Sequence, residues 1–322
     1  MAEVWTMGEM LVEIMRPRAG MPLDRAGELL GPFPSGAPAI FIDTVARLGH
    51  TAGIVGGVGR DDFGRALLER LRADGVDTRH VVEAERGSTA VAFVTYFPDG
   101  SRRFIFHIEG TPAVAARVPQ EWRGALPRDA GGRTPRFFHV MGCSLMASES
   151  LAREIALAVE ILHGRGVKIS FDPNIRPELL AGRRLADVIA PVLGRTAVLL
   201  PGEAELRLVS GCDRAEEAAQ RLFENEALEM IVLKRGERGA TIFTRDESLE
   251  TPAYAVSAVD PTGAGDCFDA GFLCGLLEGR PLAECGRIAA AAGALNAAAF
   301  GPMEGAISAE AVRRLMRAQA ER

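Results

Sequence analysis

The chain has 322 residues, 48% of them hydrophobic and 25% charged, the balance of an ordinary globular protein built as one large α/β domain or two smaller ones. No apolar run approaches the roughly 20 residues of a spanning helix, and the N-terminus lacks the order of a secretory signal, so a cytoplasmic location is expected. A net charge of -6 argues against a nucleic-acid surface, and five scattered cysteines without a CxxC pair favour neither a disulfide framework nor a zinc site.

In chain order, the patterning predicts a strand at 3–7, a helix at 36–48, a strand at 51–57, a helix at 62–74 and strands at 89–97, 102–108 and 136–141. A helix at 148–165, strands at 167–171 and 197–200 and a helix at 214–226 follow. Strands at 229–234, 239–244 and 250–256 and helices at 266–278, 282–299 and 308–320 complete the chain. Gly49, Gly75 and Gly301-Pro302 read as helix stops. This alternation predicts a sheet flanked by helices, formed by residues 1–8, 34–87 and 113–322. Residues 9–33 and 88–112 are rich in strand formers and have no place in a covered parallel sheet, so they should form a separate small sheet. Phe97-Pro98-Asp99-Gly100 reads as its hairpin turn, and 113–135 as a short helix with a solvated loop.

Chemistry concentrates in Val259-Asp260-Pro261-Thr262-Gly263-Ala264-Gly265-Asp266, which opens a long apolar helical run. Helix N-termini offer unpaired N–H donors and partial positive charge, so the amides of Gly263, Ala264 and Gly265 are candidates to grip a phosphoryl group. Asp266 stands beside them as a general base. A second string, Ser170-Phe171-Asp172-Pro173-Asn174-Ile175-Arg176-Pro177, ends a strand with polar groups where ligands bind in open α/β folds; Arg176 is the natural cation for phosphate charge. On the predicted hairpin, period-2 alternation puts Arg103, His107 and Glu109 on one face. The glycines of Gly53-Ile54-Val55-Gly56-Gly57-Val58-Gly59 lack dinucleotide-fingerprint spacing, which excludes an oxidoreductase of that class.

The string ending at Asp266 resembles the signature of the PfkB, or ribokinase-like, family of sugar and nucleoside kinases. The likeness runs from Gly8-Glu9-Met10-Leu11-Val12-Glu13 to Gly301. The resemblance implies a three-layer αβα sandwich with a mostly parallel central sheet and a small β-sheet lid that covers the sugar and pairs two copies as a homodimer. It implies ATP and Mg2+, with Asp266 as catalytic base and Asn174 and Arg176 in the site. Lys234, Gly236 and Gly239 of Ile231-Val232-Leu233-Lys234-Arg235-Gly236-Glu237-Arg238-Gly239 match the nucleotide turn, Lys234 as a point charge for a phosphate, with Thr262, Gly263, Gly265 and Asn296 beside it. In Pro201-Gly202-Glu203-Ala204-Glu205, Gly202 stands where relatives carry an Asn, leaving Glu205 to order Mg2+ through water. A potassium ion is implied at Asp260, Thr262, Asn296, Ala299 and Gly301.

At the acceptor end, Pro34-Ser35-Gly36-Ala37-Pro38-Ala39-Ile40 resembles the family's sugar-binding segment, with Ser35 for a Gly and Ile40 for an Asn. Glu13, Ser35, Gly36, Ala37 and Asp43 are therefore sugar-binding candidates, Asp43 as replacement for the missing Asn, together with Arg103 and His107. The segment from Ser35 to Asp43, with residues 301–305, resembles members acting on ketoses such as tagatose or fructose. The nearest alternative is a sugar acid such as 2-keto-3-deoxygluconate. A sugar sensor without activity would have lost the base, and Asp266 is intact.

Overall fold

The computed structural model describes residues 2–99, 101–124 and 134–320. The chain runs β1 (Val4–Met7), β2 (Leu11–Met15), β3 (Leu30–Ser35), α1 (Ala37–Arg47), β4 (Ala52–Gly59), α2 (Asp62–Ala73) and β5 (Asp77–Ala84). Next come β6 (Ala90–Tyr96), β7 (Arg102–His107), α3 (Gln120–Arg123), β8 (Phe137–Met141), α4 (Gly142–Ala147), α5 (Glu149–His163), β9 (Lys168–Asp172), α6 (Leu185–Leu193) and β10 (Thr196–Leu199). It ends with α7 (Glu203–Ser210), α8 (Ala215–Leu222), β11 (Met230–Lys234), β12 (Ala240–Phe243), β13 (Ser248–Thr251), α9 (Ala264–Leu277), α10 (Leu282–Ala297) and α11 (Ala309–Ala320).

A nine-stranded sheet has the order β13-β12-β11-β10-β9-β8-β1-β4-β5. Only the β11–β12 and β12–β13 pairings are antiparallel. Helices cover both faces, so the strands read as continuous apolar runs. Along β8 the pleat sends Phe137 and Met141 into one core and Phe138 and Val140 into the other. The first core takes side chains from α1, α2, α9 and α10; the second takes Leu151, Ile155 and Leu162 of α5 and residues of α6, α7 and α8. The chain begins at β1, turns outward to β4 and β5, and restarts on the other side at β8. That reversal of winding opens a crevice at the carboxyl ends of the strands.

The second sheet has the order β3-β2-β6-β7, and β3 continues to Ser35, two residues beyond the expected lid boundary. Its long β2–β3 connection is held by the buried Arg16 guanidinium, which donates to the carbonyls of Glu28 (2.8 Å), Pro22 (2.9 Å) and Arg25.

Four elements were absent from the sequence expectation. The edge strand β5 mixes Arg79 and Glu83 with its apolar residues, α4 is a single short helix directly after β8, α6 carries Pro191 inside it, and α7 buries only Leu206 and Ser210. The strand expected at 250–256 stops at Thr251 because Pro252 cannot extend the ladder. The short helix expected after 113 is α3, and part of the loop expected behind it lies outside the described residues.

Helix α9 positions the site. It is buried on nearly every side and packs on α10 through glycine: a Cβ at Gly271 would lie 2.9 Å from the Ala289 Cα, and one at Gly275 2.9 Å from the Cys285 Cα. The clash partner is backbone, so it cannot rotate away. Gly275→Val should lower stability by about 1–3 kcal/mol or more, measured as the shift of the urea unfolding midpoint.

Candidate active site

Between the carboxyl ends of the central strands and the inner face of the small sheet lies a cavity of about 190 Å3. Its floor is the start of α9. Gly263 takes the N-cap position at φ 77°, pressed so close to the Pro302 carbonyl that a Cβ would come within 2.3 Å of it. The Ala264 N–H is consumed by the turn, donating to the Pro261 carbonyl at 3.2 Å. The N–H groups of Gly263, Gly265 and Asp266 have no acceptor among the described residues. The expected donor set is corrected accordingly: Ala264 leaves it and Asp266 joins.

The Asp266 side chain is buried on the cavity wall, where Asn174 donates to it at 3.3 Å. Burial, reinforced by the neighbouring Asp172 charge, pushes its pKa up to about 7, against the pull of Lys234, Arg176 and Arg102. Asn174 holds a positive φ of 34°, and its Oδ1 is buried without a partner among the described residues. Arg176 lies on the same wall with its guanidinium over the Phe104 ring at 5.7 Å.

Lys234 was expected to reach a phosphate, but its ammonium donates to Asp172 at 2.8 Å and to both oxygens of Asp269 at 3.0 Å. Burial alone would lower its pKa; Asp172, Asp269 and Glu205 outweigh that and hold it above the ordinary lysine value. It therefore forms part of the floor as a fixed counter-charge. Gly236 and Gly239 do not line the cavity. A Cβ at Gly239 would lie 2.0 Å from the Thr251 carbonyl, so that glycine permits the approach of β13. Glu205 lines the wall and accepts from the N–H groups of Gly202 (2.7 Å) and Ile175 (2.9 Å). One carboxylate thus caps α7 and braces the turn carrying Asn174 and Arg176.

At the opposite wall, Ser35 donates to Glu13 Oε1 at 2.7 Å, while Glu13 Oε2 is buried with no partner among the described residues. Burial raises the Glu13 pKa to about 7. Ser35 thus orients the carboxylate and does not itself line the cavity. Gly36, Ala37 and Ile40 do. Asp43 does not: three residues along α1 carry it about 4.5 Å deeper, where it faces Arg47 (3.6 Å) and Arg70 (3.8 Å) in a structural cluster. Burial first, then its carboxylate neighbour Asp74, pushes its pKa to about 8 against these arginines.

On the lid hairpin the face assignment reverses. Arg103 lies over Phe97 at 5.8 Å, His107 meets the edge of Phe93 at 6.2 Å, and neither lines the cavity; Glu109 is exposed. The inward residues are Arg102, Phe104 and Phe106. Arg102 donates to Thr262 Oγ1 at 3.3 Å and stacks on Phe104 from 5.3 Å. The same alternation would have identified it, had the parity of the strand been readable. Glu9 was also missed: it lines the cavity and accepts from Ser144 and, at 3.1 Å, from the Cys143 thiol.

Behind the floor, Asp260 Oδ1 accepts from Thr262 N–H (2.9 Å) and the Tyr96 hydroxyl (2.6 Å), and Oδ2 accepts from Gly301 N–H (3.0 Å). Asn296 is fully buried and offers no face to a nucleotide: it donates to the carbonyls of Thr262 (2.8 Å) and Pro302 (3.1 Å) and accepts from Gly305 N–H. It fastens the loop before α9 to the loop after α10. Ala299 takes part only in the turn, donating to the Asn296 carbonyl at 3.1 Å. Among the described residues no three His, Cys, Asp or Glu side chains form a metal-ligand cluster, and no helix is long and apolar enough to cross a membrane.

The sequence matches the profile of the pfkB family carbohydrate kinases over residues 32–309. It is 32% identical over 302 residues to Fructokinase-1 of Oryza sativa subsp. japonica, covering 91% of each chain. Among solved structures, an E. coli protein provisionally labelled ribokinase II, in complex with ATP and Mg2+, superposes with a TM-score of 0.88 at 37% identity, covering 99% of this chain and 100% of that one. A fructokinase from Xylella fastidiosa with bound ATP superposes with a TM-score of 0.84 at 25% identity, covering 99% and 100%. With a buried carboxylate beside unpaired helix-terminal amides, under a lid sheet, and with these relatives along nearly its whole length, the chain belongs to the PfkB family of carbohydrate kinases and is a sugar kinase.

Proposed function

We propose that this kinase transfers the γ-phosphate of ATP to a primary hydroxyl of a ketose of the fructose or tagatose class. The observation that carries the proposal is the pairing, across one cavity, of Asp266 with its three unpaired amides and Glu13 with its unpartnered oxygen. A buried acceptor without a hydrogen bond costs about 1–3 kcal/mol, and a sugar hydroxyl at Glu13 Oε2 or Asn174 Oδ1 removes that cost. The ring then spans from Glu13 to Asp266, which takes the proton of the attacking hydroxyl. The amides of Gly263, Gly265 and Asp266 stabilise charge on the transferring group, and Arg176 and Arg102 neutralise it from the sides. Phosphoryl transfer has a loose transition state in which positioning and electrostatics dominate, so a carboxylate suffices as base.

A Mg2+ carried by ATP supplies charge neutralisation at the phosphates. Glu205 meets it through water, since both its oxygens are held by backbone N–H groups. A potassium ion fits the loop of Asp260, Thr262, Asn296, Ala299 and Gly301, because Asp260 is a buried carboxylate with no ion-pair partner among the described residues. Its charge would hold that loop in place. The inward lid residues Phe104 and Phe106 are apolar, and the two available arginines face the phosphoryl end, which supports a neutral ketose over a sugar acid. The outward lid face carries Ile105, 45% exposed, beside the partly buried Phe93, and we assign it the homodimer contact. A cytoplasmic location accords with five free cysteines.

Release of ADP should be fastest with fructose or tagatose; faster turnover of 2-keto-3-deoxygluconate would refute the ketose assignment. Asp266→Asn should reduce kcat about 100- to 10,000-fold while ATP affinity by calorimetry stays nearly unchanged. Because the base works only when deprotonated and its pKa is raised to about 7, kcat/KM should climb as pH rises through 7 and be lost below it. Glu13 also titrates near 7, so Glu13→Gln separates the two: it should raise the sugar KM and keep the acid limb.

A further inference from the structure

We propose that Tyr96 is a positioning residue for phosphoryl transfer, a latch through which the seated lid holds the loop that carries the phosphate-binding amides. The inference rests on the kinase reading above and adds to it a link between the lid and the floor.

Tyr96 is the last residue of β6 and stands opposite Arg102 in the register with β7, so both project from the tip of the hairpin. Both reach Thr262. The Tyr96 hydroxyl lies 2.7 Å from Thr262 Oγ1 and donates to Asp260 Oδ1 at 2.6 Å, while Arg102 donates to Thr262 Oγ1 at 3.3 Å. Asp260 also accepts from the N–H groups of Thr262 and Gly301, and Asn296 holds the Thr262 carbonyl at 2.8 Å. The peptide groups on both sides of Thr262 are thereby pinned to the core. Among the described residues, the hydrogen bonds from the lid to this loop enter through the Thr262 hydroxyl and the carboxylate that holds its N–H.

The next residue is Gly263, the first of the amide donors, in a left-handed conformation with no room to spare against Pro302. A displacement at Thr262 therefore changes the direction of those N–H groups, and electrostatic stabilisation depends on donors already aimed at the developing charge. Lid seating and amide geometry are in this way one event. A lid that has not closed leaves Asp260 and Thr262 without two of their partners, and the site is less able to transfer phosphate to water.

Tyr96→Phe keeps the ring and removes only the latch. The expected result is a kcat reduced about tenfold or more, with the sugar KM changed less than threefold, and a larger share of ATP hydrolysed without sugar phosphorylation. Hydrogen exchange supplies a readout independent of turnover: the Thr262 and Gly301 amides, both held by Asp260, should exchange faster in Tyr96→Phe than in the unaltered protein. Wild-type kcat, or unchanged exchange at those two amides, would overturn the latch. If the unaltered protein phosphorylated no sugar, the kinase reading would fail, while the exchange comparison would still decide whether Tyr96 holds the loop.

Discussion

The burial of α9 is the constraint on which the site depends. A helix enclosed on nearly all sides cannot shift or rotate to relieve a charge at its start, so Asp266 stays where the glycine seam against α10 puts it. The same enclosure removes water from the carboxylate and raises its pKa, making it a better base than an exposed aspartate. Backbone contact at Gly263 fixes the direction of the neighbouring amides. The position and basicity of the carboxylate and the aim of the amides thus share one cause.

Charge is managed around that point rather than cancelled. Asp172 and Asp269 share the Lys234 ammonium, leaving an excess of carboxylate under the cavity, and Glu9 and Glu13 add two more at its far side. Against them stand Arg176 and Arg102, neither ion-paired among the described residues. The cavity thus faces two guanidiniums without carboxylate partners and a helix N-terminus. A fixed lysine could not serve as phosphate ligand without uncovering two buried aspartates, at a cost of several kcal/mol.

The lid contributes charged groups to the cavity wall as well as cover. Its inner face supplies Glu13, oriented by Ser35, the apolar ceiling of Phe104 and Phe106, and the Arg102 cation. The substitution of Ser35 for a smaller residue thereby has a local reason: the hydroxyl holds the longer Glu13 side chain in one orientation.

What the sequence determined by itself were features set by local physics: period-2 and period-3.6 runs, glycine and proline stops, and the Asp-Pro-Thr-Gly-Ala-Gly-Asp turn, in which Gly263 takes a left-handed conformation just ahead of Asp266. What it left open were properties that depend on partners distant in the chain. Alternation on β7 grouped Arg103 with His107 but could not say which face looks inward, because that is decided by where the sheet lands on the core. Asp43 and Asn296 carry the same polar groups whether they face a ligand or a loop, and only the packing of α1 on α2 and of α10 on residues 301–305 turned them into structural ties. Lys234 was read as a phosphate ligand until β9 and α9 brought Asp172 and Asp269 to it. Side-chain direction and charge pairing are long-range quantities, and tertiary structure alone decides them.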